Sequence, residues 1–65
     1  MRASTTMGRD HIQQVIEKIE WALENHRDIS ATKIMLMAGQ WRGLKKALGE
    51  NDESEWAMLY RLRGI

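Results

Sequence analysis

The sequence predicts an all-α fold, an antiparallel helical hairpin closed by a short third helix, built like a small three-helix bundle. Three observations carry this. The 65 residues contain no proline, so nothing along the chain removes a helical hydrogen bond. Ala, Leu, Met, Glu, Lys, Arg and Gln, the residues that lose least on entering a helix, are abundant. Apolar residues recur at alternating spacings of three and four, the period of one helix face.

Residues 1–9 are expected to form a disordered tail, being polar, aperiodic and interrupted by Gly8; Met7 within it is a second candidate start. Residues 10–65 form the single expected domain, with helices at about 10–26, 29–48 and 52–63. The first starts at Asp10, a capping residue type, and buries Ile12, Ile16, Ile19 and Leu23, with Val15 and Ala22 widening the stripe and His26 at its half-buried end. The second starts near Asp28 or Ser30 and buries Ile34, Met37, Trp41, Leu44 and Leu48. Gly49 then supplies a left-handed stop. In the third, Asp52 and Glu55 have capping-box spacing, Trp56, Leu59 and Leu62 form the face, Arg61 and Arg63 favour the negative end of the helix dipole, and Gly64 ends it.

Charge orders these segments. Asp10, Glu17, Glu20 and Glu24 oppose one Lys18 in the first helix. The second carries Lys33, Arg42, Lys45 and Lys46 and no acid. A short connection folds the two back on each other, with Glu24 expected near Lys33 and Glu17 near Arg42, pairs that select register more than they add stability.

Several function classes are disfavoured. There is no cysteine and there are two histidines, fifteen positions apart on one helix, so neither a disulfide framework nor a zinc site is expected, and no cofactor is implied. No nucleophile, base and acid can be assembled into a catalytic set, and a body this small encloses no cleft for a small-molecule substrate; the chain is read as a non-enzyme. No run is long and apolar enough to span a bilayer. The expected location is cytoplasmic. The net charge of +1 gives no bulk electrostatic drive toward nucleic acid.

What remains is binding through surfaces. On the side of the second helix opposite Trp41, Gly39 and Gly43 lie beside Met35, Leu36 and Ala47. Two glycines in a helix cost about 1 kcal/mol each relative to alanine, and at this spacing they let another backbone approach closely. That face either receives a partner or is covered by the third helix. Trp21 stands among Gln14, Glu17 and Glu24 on the polar back of the first helix, where a tryptophan can anchor an interface. The expected partner-binding residues are Trp21, Met35, Leu36, Gly39, Gly43, Trp56, Leu59 and Leu62.

The chain is thus read as an accessory, inhibitory or scaffolding factor that acts on a larger protein and self-associates, with a homodimer as the expected state, because so short a chain leaves apolar surface uncovered. The alternative is a dimeric nucleic-acid-binding module using Arg42, Lys45, Lys46, Arg61 and Arg63. A helix-turn-helix with the third helix as reader is disfavoured, since Glu50, Asp52, Glu53 and Glu55 would meet phosphates. In general form the chain resembles the small dimerising helical hairpins that serve as accessory or inhibitor proteins in plasmids and bacteriophages; no motif carries that likeness.

Overall fold

A computed structural model describes the backbone of residues 3–64 and the side chains of residues 8–64. It contains three helices, α1 (Ala3–Asn25), α2 (Ala31–Leu48) and α3 (Glu55–Arg63), and no strand among the described residues. The hairpin of α1 and α2 and the shorter α3 all pack on one another.

α1 begins seven residues before Asp10, which is therefore an interior, exposed residue and not a cap. The expected tail is helical from Ala3 onward; Met1 and Arg2 lie outside the described residues. Once a helix is nucleated, each added residue contributes a hydrogen bond for two fixed torsions. Ala3 to Arg9 contains one Gly and no Pro to oppose that extension. The far end of α1 closes at Asn25, whose amide donates to the Trp21 carbonyl at 2.8 Å.

α2 is capped by Ser30, whose hydroxyl accepts from the Lys33 amide at 3.2 Å. At its other end Gly49 takes φ 77°. The Gly49 and Glu50 amides turn back to the Lys46 and Lys45 carbonyls at 3.0 and 2.9 Å, satisfying acceptors the helix leaves open. α3 starts later than its acidic residues suggest. Ser54 caps it by accepting from the Ala57 amide at 3.1 Å. The capping box expected between Asp52 and Glu55 does not form, because the start at Glu55 leaves Asp52 and Glu53 in the loop. Gly64, at φ 72°, ends α3.

The core consists of Ile16, Ile19 and Leu23 from α1, Ala38, Trp41 and Leu48 from α2, and Met58 and Leu59 from α3. Ile34, Met37 and Leu44, expected at the centre of the seam, are only partly buried. α3 rests on the side of the hairpin that carries Ala38, so burial shifts toward it. The same docking buries Met58.

Polar bonds tie the three helices together. The Trp41 indole donates to a Glu20 carboxylate oxygen at 2.7 Å. Arg61 lies 3.6 Å from that carboxylate and donates to both oxygens of Glu53 at 2.9 Å. Arg63 donates to the carbonyls of Leu23, His26 and Arg27 at 2.7, 2.9 and 3.0 Å, closing the C-terminal end of α1 with a side chain from α3. The pairs Glu24–Lys33 and Glu17–Arg42 are absent. Arg42 instead reaches Glu55, and Lys45 reaches Glu50, each at 3.4 Å, because loop and α3 acids sit closer to the cations of α2 than the outward acids of α1 do.

Candidate functional site

The Trp41 side of α2 is sealed by α1 and α3, which turns the opposite side outward. There Met35 and Leu36 are 53% and 65% exposed. Gly39, Gly43 and Ala47 are exposed beside them. A Cβ built on either helical glycine meets nothing within 4 Å. α3 therefore does not cover the glycine face, which removes one of the two alternatives the sequence left open. A shallow groove lined by Val15, Gln40, Gly43 and Leu44 runs from this face toward the hairpin seam. Lys33 and Lys46, both exposed, border the face. No acid lies anywhere along α2.

On α1, Trp21 is 59% exposed, with exposed Glu17 and Glu24 one turn to either side. Its ring meets His26 edge-on, with centroids 5.4 Å apart. His26 itself is exposed and not part of the core; α1 ends just before it, and the buried stripe ends at Leu23.

α3 divides the residues assigned to it. Trp56 and Tyr60 are two-thirds exposed, Leu62 is partly buried, and Leu59 is fully inside the core. Leu59 is thus a folding residue and cannot meet a partner while α3 is docked. The sequence groups Trp56, Leu59 and Leu62 on one stripe, but a nine-residue helix held against two others presents its apolar residues to different neighbours.

The cations of the nucleic-acid alternative are mostly engaged within the chain. Arg42 pairs with Glu55. Lys45 pairs with Glu50 and lies 5.7 Å from the Trp41 ring centroid. Arg61 is held by Glu53 and Glu20, and Arg63 by three backbone carbonyls. Of that set only Lys46 has neither an ion pair nor a side-chain hydrogen bond among the described residues. The bidentate bond from Arg61 holds the Glu53 carboxyl below its usual value, and the same bond raises the Arg61 guanidinium.

Glu20 was not singled out by the sequence, although it holds the buried indole. Its one signal is position: it lies beside the Ile16–Leu23 side of the stripe, where a carboxylate can reach into a seam that contains a tryptophan. Among the described residues no three His, Asp or Glu side chains converge to hold a metal ion. Among the described residues no helix is long and apolar enough to cross a membrane. Searches of protein-family models, of curated proteins and of solved structures returned no match for this chain.

Proposed function

We propose that this chain is a protein-interaction module, an accessory, inhibitory or scaffolding factor that works by contact through the outer face of α2. One observation carries the reading: Met35, Leu36, Gly39 and Gly43 form an apolar, side-chain-poor strip on the longest stretch of α2, uncovered by either other helix. Met35 and Leu36, half to two-thirds exposed, forgo a corresponding part of the about 1.5–3 kcal/mol that full burial of each would supply. Two glycines add a helix cost where the fold itself asks for no close approach. A contact made after folding accounts for both expenses, because glycines in that position let a second helix approach at backbone distance.

The nucleic-acid alternative is less supported, since four of its five cations are committed to internal partners. The test is a pull-down from the native host with two baits, the parent chain and Leu36→Glu, both verified as folded by circular dichroism. The expected result is a protein retained by the parent and lost with Leu36→Glu. Equal retention by both baits refutes this face as the working surface.

A further inference from the structure

We propose that a second copy of this chain docks on the outer face of α2 through the outer face of its own α1, with Trp21 entering the gap over Gly39 and Gly43. This rests on the reading of α2's outer face as the working surface and names an occupant for it.

The sorting of charge between the helices is the first support. Glu17 and Glu24 on α1, and Lys33 and Lys46 on α2, enter no ion pair among the described residues. They cannot meet within one molecule. α1 and α2 pack through Ile16, Ile19 and Leu23 against Ala38 and Trp41, so their opposite faces point away from each other. The outer face of α1, acidic apart from Lys18, can meet the basic outer face of α2 in another copy.

Shape is the second. Trp21 stands out from α1, and α2 offers a gap one turn long with open space above both glycines, bordered by Met35 and Leu36. An indole seated there would bury apolar area that either surface alone leaves in water. With Trp21 level with Gly39 and Gly43 and the helices antiparallel, the rise of about 1.5 Å per residue brings Glu17 within one residue of Lys46. Glu24 then lies level with Ala38, on the Lys33 side of the glycines but about 7.5 Å from Lys33 along the axis. Antiparallel alignment also sets opposite helix-dipole ends together.

Symmetric pairings are the poorer options. α2 against α2 sets the unpaired Lys33 and Lys46 of a helix without acids against their own copies, and α1 against α1 sets Glu17 and Glu24 against theirs. The contact is therefore head-to-tail. Each added copy carries a fresh face at either end, so association continues as a chain or closes as a ring rather than stopping at a symmetric dimer. One helix on one helix is smaller than the ~1,200 Å² of a stable interface, so the association is weak.

The test is sedimentation equilibrium of the full chain up to about 1 mM, the range of weak association. The average mass should climb from 7.6 kDa past the dimer value as concentration rises, and fall back with added salt. Trp21→Ala, an exposed substitution that spares the core, should weaken association about tenfold or more. The pairs Glu17→Lys with Glu24→Lys, and Lys33→Glu with Lys46→Glu, should each be monomeric alone, while an equimolar mixture of the two regains mass because acid and base again face each other. A parent chain that stays monomeric throughout overturns the proposal. So does association that survives Glu17→Lys with Glu24→Lys, or a mixture that stays monomeric. None of these outcomes touches the reading of α2 as a foreign partner's site, which the Leu36→Glu pull-down decides separately.

Discussion

Trp41→Phe isolates the bond that ties the hairpin together. Trp41 is fully buried, and its indole donates to Glu20 at 2.7 Å. Phenylalanine removes two ring carbons from the core, about 1.6 kcal/mol at the usual value per buried carbon. It also removes a hydrogen bond to an ionised acceptor, worth about 1.5–3 kcal/mol where the acceptor is stranded. Glu20 is not stranded, being a quarter exposed and still beside Arg61, so that loss is held to about 1 kcal/mol. The expected cost is about 2–3 kcal/mol, set against about 3–10 kcal/mol of total stability for a chain of this length. Thermal melts followed by circular dichroism should fall by roughly 10–20 °C. Repeating the substitution with Glu20→Gln in both backgrounds separates volume from hydrogen bond, because the two changes are non-additive only if the groups interact. A cost below about 1 kcal/mol, or a Glu20→Gln effect that is the same with Phe at position 41, would refute the indole–carboxylate account.

Gly39→Ala and Gly43→Ala should each raise stability by about 0.5–1 kcal/mol in urea unfolding, since the new Cβ meets nothing within 4 Å; a loss of stability would mean the face is already covered in the free chain. Ile19→Asp should unfold the chain, because Ile19 is 8% exposed in the seam and a carboxylate there has no partner; retained helicity and an unchanged melt count against the packing described. Glu53 titrates below its usual value of 4.5 because Arg61 binds its charged form. With the folded value depressed, the unfolded chain takes up the proton first, so the pair's contribution is complete above the ordinary carboxylate range and is lost as pH falls below 4.5 and through the depressed value. The melting difference between the parent and Glu53→Gln should shrink across that window, and a difference independent of pH would remove the Arg61–Glu53 bond from the account. With fluorine-labelled tryptophan, the Trp21 and Trp56 resonances should broaden with a soluble paramagnetic agent while Trp41 does not; a protected Trp21 in the monomer contradicts its exposure.

The sequence by itself determined the helices, the hairpin, and most of their ends. Gly49 and Gly64 announce stops because a left-handed residue carries no penalty when it has no side chain, and Ser30 is a capping type where a turn must end. The buried Ile16, Ile19, Leu23 and Trp41 follow from helical period alone, since a face repeating every three and four residues has only one way to avoid water. Tertiary structure decided what period cannot express: the angle at which α3 meets the hairpin. That angle buries Ala38 and Met58, hides Leu59 while leaving Trp56 exposed, and turns the α2 cations toward loop and α3 acids instead of toward α1. It also leaves Gly39 and Gly43 open. A helical wheel fixes where a residue points around its own axis, but which neighbour stands there depends on how three helices share one core. The start of α1 was hidden for a related reason: a polar stretch with no apolar period gives no packing signal, and its helix is continued by hydrogen bonding from the packed segment that follows.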